Sequence, residues 1–314
     1  MTNEKLLNQF RSFYFRNYPD DMEMQISYFA IFGGLGWEVD VSKPISTLIK
    51  EHILQNFDIL HKKIEQLTMS NPNNKRLLRA LAIGDRRIFS AFNRAGLNNA
   101  NGGEALNYLQ EKGLIQLEYS REEPANSLNP NGKLKREVAR HRISHKVLFT
   151  QPFVRFWFYF IAPHVKEIIE GNFDDMLKDF EIKQNSYTSL VFEELSEVLL
   201  NYNLRDSNII SSGSYWDAKI EIDILTITEN EKVYVSECKW TNHIVNKKEL
   251  HKLLEKCERL DIEPTQVVLF SKRGFSKELM QMQGKDLSLY SCEDFEALVK
   301  NSSKVELIED FIMN

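Results

Sequence analysis

The stretch KIEIDILTITENEKVYVSECKW, residues 219–240, decides how this chain is read. Its periodicity is two, which predicts strands at about Lys219–Thr228 and Lys232–Trp240 joined by the turn ENE at 229–231. In the first strand Glu221, Asp223 and Leu225 share a face, and Ile220, Ile222 and Ile224 line the other. In the second, Val233, Val235, Glu237 and Lys239 share a face. Pairing Thr228 with Lys232 across a three-residue loop sets Asp223 directly opposite Glu237. A loop of even length would put the two acids on opposite faces unless a bulge intervened, so the register matters.

Two carboxylates in that relation lie about 5 Å apart at Cβ and repel each other. Lys239, two residues along the same face, relieves the repulsion as a structural counter-ion. A divalent cation relieves it better: Mg²⁺ or Mn²⁺ prefers carboxylate oxygens and water, and commonly takes one or two protein carboxylates plus phosphate. Asp223 and Glu237 would be its side-chain ligands and the Cys238 carbonyl between them a third. Lys239 is then left to orient or deprotonate a water and to face a phosphate. Metal and lysine together meet the needs of phosphodiester hydrolysis, an activated nucleophile and neutralised developing charge.

Outward from this hairpin the chain reads in three regions. Residues 1–72 are helical: KLLNQFRSFYF and ISTLIKEHILQNFDILHKKIEQL repeat apolar residues at three- and four-residue spacing, with Gly33, Gly34 and Gly36 forming a turn between them. GGLG is not a phosphate loop, because neither GxxxxGK[ST] nor a GxGxxG following a strand occurs. Residues 73–163 read as three short helices, the last at about Gly103–Lys112, and then two strands. That order is a winged helix, which serves either DNA contact or protein packing. Glu104 and Glu111 on the third helix disfavour phosphate. Residues 164–314 begin with a linking helix in HVKEIIEGNFDDMLKDFEIK and a second in SYTSLVFEELSEVLLNYNL. The hairpin follows, then a helix at about Lys247–Leu260, the strands QVVLFS and LSLYS, and a closing helix: an α/β order.

Composition narrows the classes. With 42% hydrophobic and 27% charged residues in 314, the chain is an ordinary globular protein. Cys238, Cys257 and Cys292 form no CxxC, so neither a disulfide framework nor a zinc site is expected. His243 and His251 have no ligand-like pairing. FVRFWFYFIA is half a membrane span interrupted by Arg155 and reads as a buried helix, and the N-terminus carries no leader pattern; no membrane partner and a cytoplasmic location are expected. The net charge of −5 hides one basic run, Lys133, Lys135, Arg136, Arg140, Arg142 and Lys146, which falls on the wing and would attract DNA.

Asp223, a gap of thirteen residues, then Glu237-Cys238-Lys239 resembles the D…(D/E)xK signature of the PD-(D/E)XK nuclease superfamily. YTSLVFEELSEVL, SGSYWDAKIEIDILTI and VSECKW together resemble the C-terminal domain of unknown function of archaeal-type AAA ATPases. FAIFGGLGWEV and FIAP resemble stretches that precede that domain, although no Walker motif is present. The resemblance implies a restriction-endonuclease-like α/β domain behind a winged helix, and a metal-dependent nuclease with Mg²⁺ or Mn²⁺ as cofactor. Its helix acid falls on Glu193, with Glu194 as the alternative and Glu197 one turn on. Its strand acids are Asp223 and Glu237 and its lysine is Lys239. Where the superfamily often has Pro before the strand Asp, this chain has Ile222. A non-catalytic DNA-binding or protein-interaction module derived from such a nuclease is the other reading, and a separate ATPase bound through the N-terminal helices is compatible with both.

Overall fold

A computed structural model describes residues 2–122 and 142–300. The expected α/β class holds, with helices dominating the first two thirds. The N-terminal region contains α1 (Thr2–Asn17), α2 (Met22–Phe32), α3 (Ile45–Leu48), which runs on as a π-helical stretch Ile49–Leu54, and α4 (Phe57–Leu67). Asp21 caps α2, accepting the Met24 N–H at 2.7 Å. Apolar on all sides, α2 is buried almost throughout.

α5 (Pro72–Ile83), α6 (Ile88–Ala95) and α7 (Asn99–Glu111) follow, and then β1 (Ile115–Glu118) pairs antiparallel with β2 (Lys146–Phe149). This is the expected winged-helix order. The third helix starts four residues earlier than Gly103, because the Asn98 side chain caps it by accepting from Asn101 N–H at 2.8 Å. Gly102 lies against the Phe92 ring, where a Cβ would fall 2.7 Å from ring carbon.

The aromatic stretch is a buried helical segment: α8 (Pro152–Phe156), a π-helical turn Trp157–Ile161 and a 3₁₀ turn Ala162–His164 leading into α9 (Val165–Ile169). Among the described residues no helix is long and apolar enough to cross a membrane. The two helices expected next are one, α10 (Asp174–Asn203), 30 residues and about 45 Å long. The break falls earlier, at Gly171, whose φ of +80° only glycine adopts readily. Residues 182–186, where the two expected helices divide, are an exposed to half-buried turn of one continuous helix, and Phe180, Tyr187 and Val191 carry the buried face across it.

The sheet has the order β3 (Ile209–Ser211), β6 (Ile224–Thr228), β7 (Val233–Lys239), β8 (Gln266–Ser271), β9 (Leu287–Tyr290). Its first three strands are antiparallel and its last three parallel. β4 (Tyr215–Trp216) and β5 (Glu221–Ile222) form a separate two-stranded ladder. α11 (Lys247–Arg259) makes the crossover from β7 to β8, α12 (Lys277–Gln281) precedes β9, and a 3₁₀ turn Cys292–Glu296 leads to α13 (Ala297–Lys300).

One face of the sheet, with Ile224, Tyr234, Cys238, Val268 and Phe270, joins a core that runs without interruption through α10, the winged helix and the N-terminal helices. The other face, with Leu225, Val235, Val267 and Leu269, packs on Leu250, Leu253 and Cys257 of α11. The three regions therefore share one large core rather than each closing on itself.

Candidate active site

The hairpin register is the expected one: Ile224 faces Ser236, Leu225 faces Val235 and Ile227 faces Val233. The first strand, however, is not continuous. Ile222 and Leu225 pack into the same core cluster, so the alternation changes phase at Asp223, which belongs to neither ladder. Freed from the pleat, the Asp223 carboxylate turns onto the neighbouring strand and accepts the backbone N–H of Cys238 through Oδ2 at 2.8 Å. Side chain replaces backbone as the partner, and the first acid is fixed against the backbone between Glu237 and Cys238.

Glu237 and Lys239 lie on the face of β7 that looks toward α11. Lys239 Nζ donates to Glu237 Oε1 at 2.5 Å, and Lys256 Nζ, from α11, donates to Oε2 at 2.7 Å. Lys239 also stands 3.6 Å from Glu249. Burial alone would lower the Lys239 pKa, but the adjacent Glu237 carboxylate, followed by Asp223 and Glu249, raises it. Lys239 is consequently a firm cation at neutral pH. While Glu237 stays beside it, such a group could orient a water or neutralise an anion but would be a poor acceptor of a proton.

Glu193 projects from α10 toward Asp223 from the opposite side of the sheet. Burial, opposed by Arg86 and reinforced by Glu194 and Glu221, pushes Glu193 up to about 7. Burial first, then Glu193 and Glu237, raises Asp223 well above the usual carboxylate range, and the Cys238 N–H opposes this. Burial likewise raises the Cys238 thiol, which packs in the core. Among the described residues no three His, Cys, Asp or Glu side chains converge closely enough to hold a metal by themselves. Glu193 is the first charged neighbour of Asp223 and lines the same cavity, and Asp223, Glu237 and the Cys238 carbonyl are the donors that could hold a cation. All are hard oxygen donors, so the donor set suits Mg²⁺ or Mn²⁺.

Behind Glu193 lies a cavity of ≈ 50 Å³, closed by the winged hairpin and lined by Arg86, Glu118, Glu193, Glu194, Glu221 and Asp223 among others. Arg86 enters it from a backbone with φ +63° and stands 3.5 Å from Glu194. A non-glycine residue in that region costs about 1–3 kcal/mol, held here by the Val147 N–H bonded to the Arg86 carbonyl at 2.9 Å. Burial pushes Glu194 up to about 7, with Arg86 and Arg155 opposing. Since the folded pKa lies above the unfolded one, the native state holds a proton the unfolded chain gives up. Stability from Glu194 is therefore complete below about pH 4.5 and is lost as pH rises through about 7. In urea unfolding at stepped pH, the wild type should lose stability relative to Glu194→Gln between about pH 5 and pH 8. Parallel profiles would remove the assignment.

The basic run is divided. Lys133, Lys135, Arg136 and Arg140 lie outside the described residues. Arg142 is exposed, 6.0 Å from the Phe89 ring. Lys146 corrects the expectation of a phosphate-facing wing residue: it is 1% exposed, its Nζ donates to Glu221 at 2.5 Å and sits 4.5 Å over the Trp216 ring. Its strand is turned inward because the hairpin is bonded to the sheet domain. Glu118 accepts from Ser214 N–H at 2.7 Å, Trp216 Nε1 donates to Ser144 O at 2.9 Å, and the Arg121 guanidinium donates to the carbonyls of Gly213, Ser214 and Leu225. Sequence reasoning also missed Lys256 and Glu249. Leu250, Leu253 and Cys257 are the buried positions of α11, so Lys256 lies at the edge of the buried face, and that spacing was the available signal.

Residues 157–253 match the family model DUF234, archaeal and bacterial proteins of unknown function. The matched span contains Glu193, Asp223, Glu237 and Lys239 and stops short of Lys256. The chain is 27% identical over 172 residues, 53% of its length, to an uncharacterized protein of Methanocaldococcus jannaschii. It spans about a third (35%) of that relative's length. Among solved structures it is similar to protein VC1899 from Vibrio cholerae at 15% identity and a TM-score of 0.29, over 76% of this chain and 54% of that one. A likeness of that size carries no argument. The coarser part of the expected relationship, a domain of unknown function with archaeal and bacterial members, is thereby met, and none of these descriptions names an activity.

Proposed function

We propose that the chain is a Mg²⁺- or Mn²⁺-dependent nuclease that hydrolyses phosphodiester bonds of DNA in the cytoplasm. The observation that carries this reading is the bond from Cys238 N–H to the Asp223 carboxylate. It brings the break in the first strand against the Glu237-Cys238-Lys239 segment of the second, so two acids and a lysine share one end of the central hairpin. Asp223, Glu237 and the Cys238 carbonyl would hold the cation, which when bound supplies Lewis acidity and an activated water. Lys239 is a fixed positive charge beside that position, suited to holding a phosphate oxygen. Glu193 keeps the potential around Asp223 negative and so favours cation entry. The exposed Arg142, with Lys133, Lys135, Arg136 and Arg140, supplies affinity for the DNA backbone.

One observation favours the second reading, a binding module that has kept a nuclease's residues: both oxygens of Glu237 are occupied by ammonium groups, so the acid is already neutralised. A direct comparison separates the two. Titrated with Mn²⁺, the wild type should bind one ion and cleave single- or double-stranded DNA, whereas Asp223→Ala should do neither. Equal Mn²⁺ binding by both proteins would remove the site. Binding without cleavage on any DNA tried would leave the module.

A further inference from the structure

We propose that Lys256 is a positioning residue of this site and that it couples cation binding to nucleic-acid binding. The inference rests on the reading of Asp223 and Glu237 given above. Glu237 is doubly held, Oε1 by Lys239 Nζ at 2.5 Å and Oε2 by Lys256 Nζ at 2.7 Å. A divalent cation on either oxygen would stand beside an ammonium group that repels it, so without nucleic acid its binding is weakened until one of those groups moves away.

The three partners differ in freedom. The Glu237 side chain is 11% exposed and fixed on the central strand, while those of Lys239 and Lys256 are 27% and 28% exposed on flexible stems. When the grip opens, the lysines move. Lys239 retains Glu249 at 3.6 Å. Lys256 comes from a different element, and α11 carries Lys248 and Lys252 at four-residue intervals before it, in a stripe leading to the site. Lysines along a helix are by themselves an ordinary solvated face. What sets Lys256 apart is that its head group is closed on the buried acid of the site.

Phosphate oxygens arriving along that stripe offer Lys256 another anionic partner, and its departure leaves Glu237 Oε2 open to a cation. In the reverse order, a cation on Glu237 releases Lys256 to phosphate. By linkage each binding event strengthens the other by the same factor. The protein would thus acquire its metal chiefly when DNA is present, and Lys256 would set the strength of that coupling.

The test uses the full chain and Mn²⁺ alone, followed by electron paramagnetic resonance of the free ion, in wild type, Lys256→Gln, Lys256→Arg and Asp223→Asn. Without DNA, Lys256→Gln should bind Mn²⁺ about fivefold or more tighter than wild type, and Lys256→Arg should match wild type. A nuclease-resistant phosphorothioate DNA should tighten Mn²⁺ binding to wild type by a similar factor and to Lys256→Gln far less. Should Lys256→Gln melt early, Lys256→Met, which keeps the stem's packing, replaces it. Equal or weaker Mn²⁺ binding by the Lys256 variant overturns the proposal, while loss of binding in Asp223→Asn still upholds the site. Absence of Mn²⁺ binding from every protein, with or without DNA, ends both.

Discussion

Replacing Lys239 by Ala should slow metal-dependent DNA cleavage by about two to four orders of magnitude while Mn²⁺ and DNA still bind. The structure explains why the losses should separate. On the proposed reading Lys239 is not a ligand: it holds one oxygen of Glu237, and Lys256 holds the other. Removing Lys239 leaves Glu237 with a counter-ion and the Asp223–Cys238 bond intact, so on the proposed reading the cation site should persist and only the charge offered to a phosphate should be lost. Glu237→Ala should instead lose Mn²⁺ binding and cleavage together, and it sets two lysines free of their acid. Single-turnover cleavage, Mn²⁺ titration and melting curves on the three proteins decide the matter. A catalytic lysine gives a large fall in rate at an unchanged Tm. A Lys239→Ala protein that melts several degrees lower, beside a wild type with no cleavage, would make Lys239 the counter-ion of an acid pair and nothing more.

Trp216→Ala should cost about 3–5 kcal/mol of stability, the range for deleting a fully buried large aromatic side chain. Trp216 is 1% exposed and unites three interactions that dock the winged hairpin on the sheet domain. Its indole N–H bonds Ser144 O at 2.9 Å, its ring lies beneath the Lys146 ammonium at 4.5 Å, and its strand pairs with the one bearing Glu221, the partner of Lys146. Without the ring, Lys146 stays buried with less to hold it, and a buried ammonium missing part of its surroundings is costly. Urea denaturation gives the number. Trp216→Phe, which keeps most of the apolar volume and loses the N–H donor, should fall between wild type and Trp216→Ala. A loss under about 1 kcal/mol for Trp216→Ala would show that the docking is held elsewhere, with the Arg121 guanidinium the next group to remove.

Much of this protein was legible along the chain because its signals are local. Alternation in 219–240 and a three-residue turn sufficed for the hairpin and its register, since the pleat leaves one phase that buries Ile224 and Val235 on opposite faces. The three helices and two strands of the winged helix, and the strand Gln266–Ser271, were equally marked by period and punctuation. What stayed hidden depends on which surfaces meet. The continuity of α10 through Ile182–Ser186 is decided by the core that receives Phe180 and Tyr187, which a polar run conceals. The break at Asp223 follows from β5 pairing with β4 rather than β7, a choice between ladders that no single strand's pattern contains. Lys146 reads as one more cation in a basic run, and only the packing of the hairpin on Trp216 and Glu221 turns it inward. Lys256 reads as a solvated helix residue until the crossover helix lies across β7. Residue type and spacing determined which chemistry the hairpin can bear. Tertiary structure alone decided which charges stand beside it, because Coulomb interactions follow distance in space and not separation along the chain.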